Sequence, residues 1–309
     1  MPDFADAQEI PGQKLAILRG EDGQRYDTII FMIQWTQLFP AVAFFPGTLY
    51  RIDPFPSTDI PLRKVDFWLP VGYDSAKRYP VLYMHDGKNL FNPAEAYLGR
   101  TWGVAETLTQ MGIDCIVVGV WSAGENRVPE YMPEAPFVGA QFDGMREGKC
   151  KDIRVAPYSD AYLRFLVEEL KPWVDANLAT LPDPTHTIVM GSSMGGLVSM
   201  YALCRYPQVF GSAGCLSTHW PIGAGQIEEW MRDNLPPPGN HRLYFDYSGH
   251  SLDRDYGVHN MRANGFLREA GWRDGIDYLM REFPGATHSA RSWRKRLPIP
   301  VEFLFNRNS

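Results

Sequence analysis

The chain has 309 residues, of which 45% are hydrophobic and 21% are charged, and its formal net charge is −6. This composition is typical of a globular protein with one large domain or two small ones. Since no run of Lys and Arg is longer than residues 294–296, we expect neither nucleic acid nor a membrane as a partner.

The four cysteines, Cys115, Cys150, Cys204 and Cys215, are too few and too dispersed for a disulfide framework. No group of His and Cys residues has the spacing of a metal site, so we expect no metal ion and no other cofactor.

Residues 1–46 are predicted to form an N-terminal extension, in which 14–19 and 26–35 form a β-hairpin. The apolar stretch 29–45 is too short, and too often interrupted by Gln, Thr and Pro, to cross a membrane. The first residues lack the basic and apolar regions of a signal peptide, so we expect a cytoplasmic protein.

From Gly47 onward, predicted strands alternate with predicted helices. The strands are predicted over 64–69, 80–86, 113–121, 187–190, 209–216, 241–247 and 275–283. The helices are predicted over 102–112, 159–179 with a kink at Pro172, 197–206, 225–234, 252–270 and from 289 to 297. This alternation predicts an α/β fold, with a mostly parallel central sheet and helices on both faces. Residues 47–309 are therefore assigned to one domain.

The stretch 122–156 has no clear periodicity and is rich in Pro, Gly and charge. A loop of this length in a compact domain is usually functional, so we expect it to shape a pocket. Its residues Arg127, Glu130 and Tyr131 are candidates for contact with a substrate. A structural salt bridge and a packing tyrosine explain the same three residues equally well.

Residues 191–196 read Gly-Ser-Ser-Met-Gly-Gly between a predicted strand and a predicted helix. The pattern Gly-x-Ser-x-Gly in this context is typical of a nucleophile elbow, in which a tight turn presents the serine hydroxyl. Glycines flank the serine because strand and helix backbones pass close together. A plain Gly-rich turn is the alternative, but the strand before it and the helix after it favour Ser193 as a nucleophile.

A serine nucleophile needs a base, and the base needs a carboxylate to orient it. In elbow enzymes the chain order is Ser, acid, His. Of the five histidines after Ser193, His288 follows the last predicted strand and is the expected base, with His250 as its main rival for a site role. His219 and Trp220, in a loop after a strand, are candidates to line the pocket.

The acid is predicted at Asp253, which follows the strand 241–247, with Asp246 and Asp255 as alternatives. A carboxylate at Asp253 would also suit a helix cap. The backbone N–H groups of Met194 and Lys88 are the expected donors to an oxyanion.

These residues resemble the esterase group of α/β-hydrolases, which includes esterase D-type enzymes, feruloyl esterases, enterobactin and bacillibactin esterases and mycolyl transferases. The matching stretches are 63–70, 79–91, 129–131, 191–197 and 285–288, with Trp293 and 296–297. The resemblance covers about 47–309 and implies Ser193 as nucleophile, His288 as base, and Met194 and Lys88 as oxyanion donors.

The resemblance is loosest around the acid. Relatives often show Asp-x-Gly-Thr before it, whereas this chain has Ser248-Gly249 at the Gly-Thr positions. Some siderophore esterases of the group look like enzymes with a Ser–His dyad and no strong acid. A resemblance to these would imply that Asp253 is dispensable.

We therefore expect a serine carboxylic-ester hydrolase that acts through an acyl-enzyme on a small to medium ester. The alternatives are an acyltransferase or a siderophore trilactone hydrolase with the same site, and a non-catalytic binding protein on the same fold.

Overall fold

A computed structural model describes residues 13–16, 31–40, 44–138, 145–147, 151–153 and 156–306. The strands in these residues are β1 Gln13–Ala16, β2 Phe31–Gln34, β3 Thr36–Leu38, β4 Thr48–Phe55, β5 Arg63–Leu69, β6 Val81–His85, β7 Ile116–Val120, β8 Met145–Glu147, β9 Lys151–Ile153, β10 Thr187–Ser192, β11 Ser212–Leu216, β12 Arg242–Tyr247 and β13 Tyr278–Glu282. The α-helices are α1 Val104–Met111, α2 Arg127–Tyr131, α3 Ser159–Arg164, α4 Lys171–Asn177, α5 Met194–Arg205, α6 Gln226–Asn234, α7 Tyr256–Glu269, α8 Ala290–Arg296 and α9 Pro298–Phe305.

Nine of these strands form one sheet, in the order β13-β12-β11-β10-β6-β7-β5-β4-β3. The strands from β13 to β7 in this order are parallel to one another. The strands β5, β4 and β3 add to one side in antiparallel fashion. The predicted fold class is confirmed: this is an α/β-hydrolase fold with a mostly parallel sheet.

The central parallel strands are apolar because both faces of the sheet are covered by helices. Alternate residues of a strand point to opposite faces, and Ile188 and Val189 of β10 accordingly belong to two different core clusters. The cluster around Val189 includes residues of α3, α5, α6 and α7, whereas that around Ile188 includes residues of α1 and α9. The sheet thus lies between two helical layers.

At the N-terminus, β1 pairs with β2 in antiparallel fashion, and residues 17–30 of the predicted hairpin lie outside the described residues. The strand β3 pairs with β4 and is the last strand of the main sheet. Trp35 lies between these two pairings, and its ring centroid is 5.0 Å from that of Trp173. The division of the chain at residue 46 stays a prediction.

Two predicted elements differ from the observed ones in an informative way. The predicted helix 159–179 has a π-helical stretch over Phe165–Leu170, which ends two residues before Pro172. Proline lacks an amide hydrogen and its ring crowds the preceding turn, so a wider turn at this point accommodates it. The stretch 122–156, predicted as a loop, contains α2 and the antiparallel pair β8–β9.

Among the described residues, no helix combines the length and the apolar character needed to cross a membrane.

Candidate active site

The Gly-x-Ser-x-Gly segment forms a sharp turn between β10 and α5. Ser193 has φ 59° and ψ −123°, a conformation that L-residues rarely adopt. Such strain costs on the order of 1–3 kcal/mol and is concentrated at functional sites. The turn is held by hydrogen bonds from the Ser193 amide to the Leu216 carbonyl (2.9 Å) and from the Leu197 amide to the Ser193 carbonyl (3.1 Å).

Glycine is required at position 191 because strand and helix backbones meet there. A Cβ atom on Gly191 would lie 2.7 Å from the carbonyl carbon of Gly195. Real Cβ atoms essentially never approach backbone this closely. The motif therefore allows the backbone at the start of α5 to pack directly against the end of β10.

His288 lies in the turn after β13 and is hydrogen-bonded to Asp253. Its Nδ1 is 2.6 Å from Oδ1 of Asp253. The imidazole also packs edge-on against Trp293, with ring centroids 5.0 Å apart. The next residue, Ser289, is the N-cap of α8 and accepts a hydrogen bond from the Ser292 amide (3.4 Å). The helix start and the aromatic contact together position the imidazole.

The Asp253 carboxylate is fully buried, in a short 3₁₀ turn that follows β12. Its Oδ2 accepts hydrogen bonds from the Ser217 hydroxyl (2.8 Å) and from the amide and hydroxyl of Ser248 (3.2 and 3.1 Å). Burial by itself would raise the pKa of Asp253, but the bonds from His288, Ser217 and Ser248 outweigh it and hold the pKa below the ordinary 3.8. The carboxylate is therefore ionised at neutral pH, as a partner for an imidazolium must be.

The two alternative acids have other surroundings. Asp246, in β12, is fully buried and accepts hydrogen bonds from Arg296 (2.8 Å), the Ser217 amide (2.9 Å) and the Tyr244 hydroxyl (3.0 Å). Asp255 is exposed and is the N-cap of α7. Of the three candidates, Asp253 is the one that contacts His288.

The two predicted oxyanion donors each stand at the start of a helical turn. Met194 is the first residue of α5, and Lys88 lies in a 3₁₀ turn over Gly87–Asn89 that follows β6. Amides at such positions have no carbonyl partner within their own helix. Gly87 permits the turn, because a Cβ atom there would lie 2.5 Å from the carbonyl oxygen of Gly119 in β7.

A cavity of about 530 Å³ opens above the carboxyl ends of the strands. The predicted residues Ser193, His288, Lys88 and Arg127 are all among its lining residues. The other described residues of the lining are Asp86, Asn89, Tyr97, Leu98, Arg100, Trp102, Ser122, Gly124, Ser192, Ser289, Ala290 and Trp293. The fold thus brings the predicted nucleophile and base to one cleft.

Four predicted pocket residues lie behind this lining, as far as the described residues show. Glu130 is fully buried and ion-paired with Arg63 of β5 at 2.8 Å. Tyr131 is also fully buried, beside the ring of His85. Trp220 packs on Phe245, and His219 Nδ1 is hydrogen-bonded to the Tyr256 hydroxyl.

One charged residue of the site was not predicted as such from the sequence. Asp86 is 8% exposed, lines the cavity and forms a bidentate ion pair with Arg127. Its position directly after an apolar strand is a signal, because charged residues at the carboxyl ends of parallel strands often belong to sites.

A protein-family model described as "Putative esterase" matches residues 62–303. This match covers more than half of the chain. The chain belongs to this family.

Two curated relatives are similar over most of the chain. Uncharacterized protein YbbA of Bacillus subtilis is 24% identical over 255 residues, which are 80% of this chain and 94% of that protein. An endo-1,4-beta-xylanase/feruloyl esterase of Xylanibacter ruminicola is 24% identical over 258 residues, which are 79% of this chain and 29% of that protein.

Solved structures have the same fold at low identity. A ferulic acid esterase has a TM-score of 0.61 at 16% identity, and the alignment covers 86% of this chain and 100% of that one. An IroE-like serine hydrolase from Shewanella oneidensis has a TM-score of 0.60 at 20% identity, with 88% and 80% covered. The enterobactin esterase of Shigella flexneri has a TM-score of 0.58 at 18% identity, with 86% and 60% covered. These likenesses show the shared fold, and the family match supports a carboxylic-ester hydrolase.

Proposed function

We propose that this protein is a serine carboxylic-ester hydrolase that works through a covalent acyl-enzyme. The observation that carries the proposal is the cavity shared by Ser193, on its strained turn, and His288, whose Nδ1 is held by the buried Asp253. A nucleophile, a base and a carboxylate that orients the base are the three parts that ester hydrolysis at neutral pH requires.

In the first half of the reaction, His288 Nε2 accepts the hydroxyl proton of Ser193 while Oγ attacks the ester carbonyl carbon. The tetrahedral oxyanion is stabilised by the amides of Met194 and Lys88. The Asp253 carboxylate stabilises the imidazolium of His288. His288 then donates its proton to the leaving alcohol oxygen as the ester C–O bond breaks, which leaves the acyl group on Ser193.

In the second half, a water molecule takes the place of the alcohol. His288 accepts a proton from the water, the hydroxide oxygen attacks the acyl carbon, and the Ser193 oxygen leaves with the proton that His288 returns. The products are a carboxylic acid and the free enzyme.

The cavity suits a small to medium ester. Its volume of about 530 Å³ lies within the usual range for small-molecule sites. Trp102 and Trp293 form an aromatic wall, with ring centroids 5.4 Å apart. An acyl or alcohol group with a flat apolar part would pack on this wall.

The lining also favours a second candidate, the hydrolysis of a siderophore trilactone. Lys88, Arg100 and Arg127 line the cavity with one carboxylate among the described lining residues, Asp86, although the chain as a whole carries a net charge of −6. A local excess of cations attracts anionic ligands. If an anionic trilactone is the substrate, kcat/KM for it should fall at high salt. For a neutral aryl ester, kcat/KM should not fall.

The first test is the activity of the wild-type protein and of Ser193→Ala on short acyl, aryl-acyl, sugar-acetyl and trilactone esters. We expect Ser193→Ala to lose at least about 10³-fold in kcat, because the nucleophile is removed. A serine-directed phosphonate should label the wild-type protein at Ser193. Ser199→Ala removes another buried serine of α5 and should keep both activity and labelling.

Three results would count against the proposal. Full activity of Ser193→Ala on a p-nitrophenyl ester would exclude this nucleophile. A wild-type protein that neither turns over any ester of the panel nor reacts with the phosphonate would favour a binding protein. If transfer products form faster than free acid when alcohols compete with water, an acyltransferase is favoured.

A further inference from the structure

A buried carboxylate lies between the two segments that carry the proposed oxyanion donors. Asp86 directly precedes the 3₁₀ turn Gly87–Asn89, which contains Lys88. Its Oδ2 also lies against the start of α5, since it is 3.5 Å from the position a Cβ atom on Gly195 would take. Gly195 follows Met194, so the carboxylate lies against both of the segments that carry these amides.

A carboxylate at this place works against catalysis if nothing compensates it. Two negative charges in a site of low dielectric repel each other strongly, and the oxyanion of the transition state is such a second charge. Asp86 is ionised: burial would raise its pKa, but the charge and hydrogen bonds of Arg127 outweigh burial and hold the pKa below 3.8. The site therefore needs a fixed cation beside Asp86.

Arg127 is that cation. Its Nε is 2.6 Å from Oδ1 of Asp86 and its Nη2 is 2.7 Å from Oδ2, which is a bidentate pair. The same Nη2 donates to the carbonyl oxygen of Ser192 at 3.4 Å. Ser192 precedes the nucleophile, so Arg127 connects the strand end before Lys88 with the strand end before Ser193.

The helix α2 holds the Arg127 side chain in place through its inward face. The ring of Tyr131, one turn later, lies under the guanidinium, with its centroid 5.2 Å from Cζ of Arg127. The Tyr131 hydroxyl accepts a hydrogen bond from the Asp86 amide (3.3 Å). Glu130 is ion-paired with Arg63 of β5 and accepts the Ala123 amide at 3.0 Å. These contacts fix α2 to the sheet behind the cavity.

We infer that Arg127 is a positioning residue of the oxyanion hole, which neutralises Asp86 and fixes the backbone segments of Lys88 and Met194 relative to each other. This inference rests on the proposed function. It gives Arg127 a role in the transition state that is distinct from contact with a substrate.

A double-mutant cycle tests the inference. On a neutral p-nitrophenyl ester, we expect Arg127→Met to lower kcat by about 100-fold, comparable to the loss of one oxyanion donor, with KM nearly unchanged. Adding Asp86→Asn removes the uncompensated charge and should restore kcat by about tenfold. A pair that serves structure alone predicts a double variant no more active than Arg127→Met.

A second variant keeps the test decisive if Arg127→Met fails to fold. Arg127→Lys retains the charge without the bidentate geometry, so we expect its kcat within about tenfold of wild type. The matched control is Arg273→Met. Arg273 forms a bidentate pair with Asp277 (2.7 and 3.1 Å) just before β13 begins, at the amino end of that strand, whereas the cavity lies at the carboxyl ends of the strands. This variant should keep wild-type kcat and KM.

The inference is overturned if Arg127→Met raises KM at unchanged kcat, or if adding Asp86→Asn does not restore kcat. It is also overturned if Arg127→Lys lowers kcat by about 100-fold, as Arg127→Met should. A wild-type protein without Ser193-dependent turnover would instead refute the proposed function, and this inference with it.

Discussion

At the scale of single residues, the site depends on how each carboxylate is surrounded. Asp246, Asp253 and Asp255 lie within ten positions of one another, yet one is bonded to Arg296, one to His288, and one is exposed. Asp253 has hydroxyl donors from Ser217 and Ser248 that stabilise its charge without supplying a competing cation. An imidazolium at His288 is therefore the natural counter-ion of this carboxylate.

We expect Asp253→Asn to lower kcat by about 10²–10⁴-fold on a p-nitrophenyl ester, because an amide does not stabilise the imidazolium and favours the wrong tautomer of His288. Steady-state kinetics of the purified variant measure this effect. Asp255→Asn changes an exposed carboxylate two positions away and should keep wild-type kcat. Near-wild-type activity of Asp253→Asn would instead indicate a Ser–His dyad.

At the scale of elements, some glycines are required because a side chain would not fit, whereas at others there is room for a side chain. We expect Gly191→Ala to destabilise the protein by about 2–4 kcal/mol, because its methyl group would collide with the backbone of Gly195. The change also displaces α5 from β10 and should abolish ester hydrolysis. Urea denaturation and an esterase assay measure the two effects.

The helix α7 offers the matched control. A Cβ atom on Gly265 would have no heavy-atom neighbour within 4 Å among the described residues. Because glycine costs conformational entropy within a helix, Gly265→Ala should stabilise the protein by about 0.5–1 kcal/mol at full activity. Equal stability changes in the two variants would show that the tight β10–α5 turn is not what requires Gly191.

At the scale of the whole molecule, two buried histidines link stability to pH. Burial lowers the pKa of His85 to about 3, and burial together with the nearby His288 and Arg127 lowers that of His219 to about 4. In the unfolded chain both titrate near 6.5. The unfolded state thus binds more protons below pH 6.5, so the stability from these residues is complete above 6.5 and is lost as pH falls towards 4 and 3.

Comparison with a variant isolates the contribution of one histidine. Between pH 7.5 and pH 5, His219→Gln should lose about 2 kcal/mol less of its unfolding free energy than the wild-type protein. Urea denaturation at the two pH values measures both losses. Equal losses would show that His219 takes up its proton as readily in the folded protein as in the unfolded chain.

Much of the architecture follows from local patterns along the chain. The buried strands and the helices between them have periodicities that a window of about ten residues contains, and the parallel sheet follows from their alternation. The elbow is local too, since Gly191, Ser193 and Gly195 lie within one turn. Even the π-helical stretch has a local cause, Pro172, although the sequence predicted only a kink there.

The contacts that complete the site join residues far apart in the chain. His288 and Asp253 are 35 positions apart, and Arg127 and Asp86 are 41 apart. Whether such side chains meet depends on the paths of loops that no periodicity describes, so three aspartates remained open as acids and Asp86 was missed. The same reason explains Glu130 and Tyr131, which α2 turns towards the sheet rather than the cavity.

The sequence by itself therefore determined the fold class and nominated Ser193, because period and turn chemistry act between near neighbours. The tertiary structure decided which carboxylate meets His288 and which cation meets Asp86, because burial selects among equivalent charges by the partners it brings within hydrogen-bonding distance.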